Sequence, residues 1–390
     1  MPSASQSGEL ALIRQIRARA GQTSSAGLRL GIGDDCALLR PRPGEELAVT
    51  TDLSIAGRHF RLDWHPPESI GHRVVARGLS DLAAMGARPV AAFLSLGVPR
   101  EQTTAVGRRR AWVERFLDGL LTLAAAYKTP LAGGDLSESP LALADIVLIG
   151  AVPQGKALLR STARPGHLLY VTGGLGGAAA GLARLAELAQ QAAEKLRPES
   201  VLYQGTTSVV PQAAENKRRA LAPEGSFPPI SRQIPSFSAA CQAQPAGNHP
   251  LRIPRKLEAA LAPHLYPQPR IAQGLWLVRH GLASAAIDLS DGLSTDLAHL
   301  CEESGVSAEV DAALLPIHPG ATLEQALHGG EDYELLFTAP ATARLPRKIA
   351  GVAITRIGRI LPVRRNQPIV TLLTPQGPLP LEPRGWEHFS

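Results

Sequence analysis

The sequence predicts an α/β (α+β) protein of two domains, on three observations. The chain has 390 residues, enough for two cores of ordinary size. It combines 37 glycines and 33 prolines with only 4% aromatic residues, the balance of a chain with many tight loops. Short apolar runs of strand type are interleaved with helical segments, and a fresh strand–turn–helix unit begins at Leu168.

In order, Glu9–Ala20 (ELALIRQIRARA) reads as an amphipathic helix, with Leu10, Ile13 and Ile16 on one side and arginines on the other. Next comes GIGDDCALL at 31–39. Its strand-like end, Cys36–Leu39, and the run Leu47–Thr50 flank the turn cluster Pro41–Glu45. The pattern predicts an antiparallel hairpin, which would set Asp34 and Asp35 beside Asp52. Carboxylates brought together repel unless a cation sits between them. A metal site and a solvated acidic loop are both open readings, and alternation turns Asp34 away from Asp35. His59 follows in a loop, structural or functional. Pro66, Pro67 and Glu68 open a helix running to about Met85, with Gly86 as its stop and Ile70, Val74, Val75, Leu79 and Leu82 as its buried stripe. Asp81 lies near its C-terminal end, where the helix dipole disfavours negative charge. It requires either a compensating cation or exposure.

Val90–Val98 is a strand, and Glu101–Tyr127 a long helix with Val106, Val113, Phe116, Leu117 and Leu120 inward. Leu131–Asp135 (LAGGD) lets backbone approach a ligand closely beside a carboxylate, or simply turns. Ile146–Val152 is a strand and leads to Arg160. Leu168–Thr172, the turn Gly173–Gly177 and the helix Ala178–Leu188 form either a phosphate cradle at a helix N-terminus or a tightly packed strand–helix joint. Nine prolines break up residues 190–256, which read as an irregular, mobile surface insertion, solvated or partner-binding. The fold resumes by Lys256. A strand ends at Asp288, and Ser290 or Asp291 caps the helix Leu293–Ser304. Residues 329–337 (GGEDYELLF) carry glycines and acids into another strand.

Composition narrows the class. The N-terminus has no apolar signal core and no apolar run reaches the length of a membrane span, so the expectation is a soluble, cytoplasmic protein. The three cysteines, Cys36, Cys241 and Cys301, are scattered, which fits a reducing compartment. The net charge of +6 is concentrated in residues 190–256, where nine Lys/Arg face four Asp/Glu. A basic nucleic-acid-binding body is therefore not expected.

Acids stand at strand or helix ends at Asp34/Asp35, Asp52, Asp81, Asp135 and Asp288/Asp291. No His/Cys cluster suits zinc. Oxygen-only ligands suit a hard cation, and Mg²⁺ is the usual companion of phosphates. The pattern favours phosphoryl transfer from a nucleotide, in which ions and positioning do most of the work. No Ser-His-Asp set, reactive-Cys setting or P-loop lysine offers a covalent route.

The ordered set GIGDDCALL, TTD (50–52), AGRHF (56–60), LSDLAAMGARP (79–89), AGGD (132–135), LRSTARPG (159–166), AIDLSDGLSTDL (286–297), HGGEDYELLFT (328–338) and RGWEHF (384–389) resembles the thiamine-monophosphate kinase family. The likeness covers most of residues 8–189 and 257–390; the insertion exceeds what the family has there. It implies an aminoimidazole ribonucleotide synthetase-like fold, with an N-terminal sheet-plus-helices domain (1–153) pairing in a homodimer and a C-terminal α/β domain (154–390). It also implies direct transfer from ATP to thiamine monophosphate. Residue by residue, Asp35, Thr50, Thr51, Asp52, Asp81, Asp135, Asp288 and Asp291 would hold several Mg²⁺ ions. Tyr127, Gly134, Asp135, Arg160 and Ser290 would contact ATP. His59, Glu331 and Trp386 would contact thiamine monophosphate, Trp386 through its face toward the cationic thiazolium. No covalent or general-base residue is implied, and no nucleic-acid or membrane partner. Two other readings remain: a different ATP-dependent enzyme of the same superfamily, and a nucleotide or nucleic-acid binder using the basic insertion.

Overall fold

A computed structural model describes residues 9–105, 110–196 and 253–385. The N-terminal unit comprises α1 (Glu9–Ala20), β1 (Leu28–Leu30), β2 (Leu38–Leu39), β3 (Glu45–Ile55), α2 (Pro67–Ala84), β4 (Arg88–Val98), α3 (Trp112–Ala126), β5 (Leu131–Glu138) and β6 (Leu143–Pro153). β3, β6, β4 and β5 form one sheet in that order, antiparallel except for the parallel β4/β5 pair. Alternation decides its faces. Ala92, Leu94, Leu96, Ile146, Leu148 and Val152 turn inward and are buried against α2 and α3. The outward face of β3 carries Leu47, Val49 and Leu53, which are 43%, 62% and 46% exposed. Register sets Leu47 beside Ala151 and Val49 beside Ile149, with Val147 next along β6, an apolar patch that ends at the Thr51–Asp145 pair.

Two expectations fail here. The hairpin does not form: β2 pairs with β1, Leu28 opposite Leu39, while β3 runs its whole length along β6, from Glu45–Pro153 to Ile55–Leu143. An eleven-residue ladder outcompetes a two-residue one, and Leu28 and Leu39 pack instead on the Val90–Ala91–Ala132–Ala151 cluster. The long helix from Glu101 is also broken. Arg100–Thr103 is a single 3₁₀ turn, closed by the Thr103 hydroxyl donating to Arg100 O (2.7 Å), and Thr104 is extended. Val106 lies outside the described residues.

The C-terminal unit contains β7 (Leu168–Thr172), α4 (Gly177–Leu196), α5 (Glu258–Leu265), α6 (Ile271–His280), β8 (Ala285–Asp288), α7 (Leu293–Ser304), β9 (Val306–Asp311), α8 (Leu323–His328), β10 (Leu335–Ala339), β11 (Lys348–Ile349), β12 (Val352–Pro362), β13 (Val370–Thr374) and β14 (Gly377–Pro380). Its sheet runs β14-β13-β9-β12-β7-β10-β8, with β11 on β12; only β13/β9 is parallel. Leu293, Leu297 and Leu300 of α7 cover one face, and Leu277 of α6 packs with Phe337 and Ala286 on the other. α4 extends to Leu196, seven residues into the stretch expected to be irregular, because ELAQQAAEKL is made of good helix formers. Most of the predicted insertion (197–252) lies outside the described residues. Among the described residues, no helix is long and apolar enough to cross a membrane.

α2 joins the units. Its predicted stripe is buried, but so is nearly every other residue of the helix. A surface helix buries one face; α2 is covered by its own sheet and α3 on one side and by α6 and β8 on the other. Such enclosure demands close backbone approach. A Cβ at Gly71 would overlap the carbonyl oxygen of Phe116, one at Gly119 that of Glu68, and one at Gly274 that of Ala83. Gly71→Ala should therefore destabilise the protein by about 3 kcal/mol, the upper end of the cost of overpacking. Denaturant unfolding measures it, and a loss below about 0.5 kcal/mol, the scale of ordinary surface substitutions, would refute backbone contact at this crossing.

Candidate active site

Strand alternation aims Thr50 and Asp52 at the last turns of α2. The Thr50 hydroxyl donates to Asp81 Oδ2, and Asp52 Oδ1 pairs with Arg77 at 3.4 Å. From the other unit, Asp288 ends β8 at 2% exposure, and Ser80 donates to its Oδ2 across the junction (2.7 Å). Asp81 thus has Asp52 on one side and Asp288 on the other. Burial pushes the Asp288 carboxyl up to about 7, and Asp81 adds to the rise. Burial likewise lifts Asp52 to about 6 against the pull of Arg77, and raises Asp81 against its bond from Thr50. The Arg160 guanidinium lies close enough to lower both Asp81 and Asp288. The unfavourable placement of Asp81 near the end of α2 is therefore offset by Thr50, Arg160 and Arg77.

The site suits a cation. Asp52 Oδ2 is buried without a hydrogen-bond partner, a costly state for a carboxylate oxygen. Among the described residues, no group of three or more His, Cys, Asp or Glu is close enough to cage a metal. Mg²⁺ does not ask for one: it keeps several waters and shares one or two carboxylates with phosphate oxygens. Paired carboxylates at an open junction meet that demand.

Other predicted residues stand elsewhere. Without the hairpin, Asp34 and Asp35 are not delivered to Asp52; both are exposed in the loop after β1, where Asp35 N donates to Asp34 Oδ1 (3.3 Å). Thr51 turns outward and donates to Asp145 (3.1 Å). Register with Ser95 sets Asp135 on that same outward face. Gly134 just before it has φ +146°. The Tyr127 hydroxyl donates to Pro269 O (2.9 Å). Ser290 O accepts from Glu331 N (2.8 Å). Neither Ser290 nor Asp291 caps α7. The N-cap is Gly292, without a side-chain cap bond; Asp296 Oδ2 reaches back from the first turn to accept from Asp291 N and Gly292 N (both 3.0 Å) and so fixes the chain entering α7. Trp386 lies outside the described residues.

Beside the carboxylates is a small pocket lined by Ser54, His59, Phe60, Ile70, Arg73, Val74 and Arg77. His59 Nδ1 accepts from Ile55 N (3.1 Å), which leaves Nε2 as the ring's N–H. Glu331 meets Arg73 from the C-terminal unit, on a backbone at φ +66°. The glycine turn 173–177 is not a vacant phosphate cradle: Asp332 fills that role, accepting from Gly176 N (2.5 Å) and Ala178 N (3.0 Å). Sequence reasoning missed Arg73, Arg77, Ser80 and Asp332. Two arginines four apart on a helix with a strong apolar stripe were a usable signal, since buried arginines need partners.

Residues 33–152 match the family model "AIR synthase related protein, N-terminal domain". The thiamine-monophosphate kinase of Escherichia coli (strain K12) is 34% identical over 395 residues, 98% of each chain. The thiamine-monophosphate kinase structure from Stenotrophomonas maltophilia K279a superposes with a TM-score of 0.66 at 34% identity, covering 94% of this chain and 96% of that one. AaThiL complexed with AMPPCP and TMP gives 0.62 at 26% identity, over 100% and 99%.

The carboxylates predict a pH dependence. In protein stripped of divalent cations, folded Asp52 and Asp288 hold their protons to about 6 and about 7, whereas the unfolded chain releases them near 3.8. The folded state then binds more protons between those values, so this contribution to stability is full below about pH 4 and is lost as pH rises through 7. Melting temperatures in chelator should fall from pH 5 to 8, and Asp288→Asn, which keeps an acceptor for Ser80, should flatten the fall. Equal slopes in the two proteins would refute the coupling.

Proposed function

This chain belongs to the thiamine-monophosphate kinase family, and from that premise we propose that it transfers the γ-phosphoryl group of ATP directly, in line, to the phosphate of thiamine monophosphate. The products are thiamine diphosphate and ADP. The observation that carries this chemistry is the junction of Asp52, Asp81 and Asp288 beside a pocket holding two arginines.

Asp52, Asp81 and Asp288, with Thr50, would hold Mg²⁺. Asp35, Thr51, Asp135 and Asp291 are the further members of the proposed metal set, although within one chain Asp35 stays in the exposed loop after β1 and Thr51 and Asp135 face outward. Bound there, Mg²⁺ would offset the carboxylate and phosphate charges and polarise the transferred phosphoryl group. Arg160, facing the same carboxylates, would bind donor phosphates, with Gly134, Asp135, Ser290 and Tyr127 as further ATP contacts. On the acceptor side the attacking phosphate oxygen is already ionised at neutral pH, so the protein's task is positioning rather than proton removal. His59 offers its Nε2–H, Glu331 a negative charge for the cationic thiazolium, and Trp386 an aromatic face.

The exposed apolar face of β3 and β6 supports a homodimer built on the N-terminal sheet. Asp135 and Thr51 share that face and would then lie near the subunit junction. With the four-stranded sheet in one unit and the eight-stranded sheet in the other, we draw the domains at 1–153 and 154–390, and we assign the enzyme to the cytoplasm.

Incubation with Mg-ATP and thiamine monophosphate should yield thiamine diphosphate, identified by mass. Asp52→Asn should lower kcat at least about a hundredfold, given the share of this chemistry that metal ions carry, with melting cooperativity intact. Near-full activity would sink the metal assignment. Val49→Glu should shift the protein to monomer in sedimentation; a dimer of unchanged stability would reject this interface.

A further inference from the structure

Arg73 lies mid-way along α2 with its side chain almost fully enclosed, and neither metal nor nucleotide requires it. Its contacts cross the domain junction. Nη2 donates to Glu331 Oε1, and Nη1 donates to Nε2 of His264 on α5 (3.0 Å). A guanidinium only donates, so His264 Nε2 carries no proton. That same nitrogen lies 3.0 Å from His65 Nε2, which must hold a proton and donate it. His65 Nδ1 is then the acceptor for the backbone N–H of Arg61 (3.2 Å), with Arg61 O at the same distance. A neutral His264 keeps its one proton on Nδ1, which faces Glu331 Oε2 at 3.5 Å without hydrogen-bonding to it. Both rings are buried, and burial, with Arg73 beside them, holds their pKa values well below the ordinary histidine range. The guanidinium and the His264 ring thus converge on the Glu331 carboxylate, Arg73 through a hydrogen bond and His264 through a longer contact that is not one.

We propose that Arg73 is a positioning residue for acceptor recognition, clamping the Glu331 carboxylate across the domain junction while neutral His264 and His65 hold its guanidinium in place. This rests on the assignment of Glu331 to the acceptor and deepens it. A carboxylate attracts a cationic ring only while ionised and aimed. Glu331 reaches the junction on a strained backbone, at φ +66°, and Arg73 itself lines the pocket beside His59 and Phe60. A pair serving only as cement between domains would change stability and leave substrate affinities in proportion. A clamp instead separates acceptor from donor.

The test is steady-state kinetics, varying thiamine monophosphate and ATP independently, on wild type, Arg73→Gln, Arg73→Lys, Glu331→Gln and the double variant. Arg73→Gln should raise the acceptor KM at least about tenfold while the ATP KM stays within about twofold, the mark of an interaction lost on one substrate only. Arg73→Lys, which keeps a charge for Glu331, should recover part of that loss. Adding Arg73→Gln to Glu331→Gln should cost little more, because the two act as one unit. Should Arg73→Gln lose its cooperative melt, His264→Gln carries the same split test in a folded protein. Additive losses, equal rises in both KM values, or an unchanged acceptor KM in the folded variants would overturn the clamp. A wild type that forms no thiamine diphosphate would overturn the parent reading and the clamp with it, whereas an active wild type with an indifferent Arg73 overturns the clamp alone.

Discussion

Three carboxylates gathered where the two units meet, Asp288 buried and Asp52 and Asp81 partly so, are the constraint on which the structure turns. Neither unit could hold Asp52, Asp81 and Asp288 at close quarters by itself: β3 and α2 supply two and β8 the third. Bringing β8 to α2 requires that α2 be enclosed on both sides. That enclosure accounts for the backbone contacts at Gly71, Gly119 and Gly274, and for a helix buried around nearly its whole circumference, polar residues included. Packing here serves electrostatics. The core places mutually repelling charges where a cation and phosphates would relieve them.

α2 also sorts the charges. Arg73, Arg77, Ser80 and Asp81 fall at i, i+4, i+7 and i+8, one face of a helix. Read along it, the face begins with the cation that meets Glu331, continues with the cation that meets Asp52, and ends with the hydroxyl and carboxylate at Asp288. An acid near a helix C-terminus opposes the dipole. Three neighbours offset it, which is what a position kept for chemistry rather than for helix stability looks like.

The segment after α8 shows the same economy. Glu331 goes to Arg73, Asp332 to the N-terminus of α4, Tyr333 into the core, and Glu334 to Arg270 and Thr172. Four consecutive side chains leave in four directions only because Glu331 and Tyr333 take positive φ (+66° and +50°). Backbone strain of that kind persists where surrounding contacts over-determine it. Here those contacts are the bonds from Glu331 N and Tyr333 N to Ser290 O and Leu289 O.

Local pattern fixed much of this in advance. Apolar period and Pro/Gly punctuation gave α2, β7, the end of β8 at Asp288 and α7 at Leu293–Ser304, and the scattered acids already suggested cation-assisted phosphate chemistry. Period says what an element is and which residues share its face. It does not say which neighbour that face meets. β2 took β1 rather than β3, because β3 had a longer ladder available on a strand about a hundred residues away. Asp332, invisible as an anion site, filled the glycine turn that local sequence left open to phosphate. The roles of Arg73 and Arg77 likewise appeared only once two domains met around one helix. Sequence determined the elements and the inventory of charge; tertiary structure decided the partners, since pairing is settled by competition among distant surfaces that no local window contains.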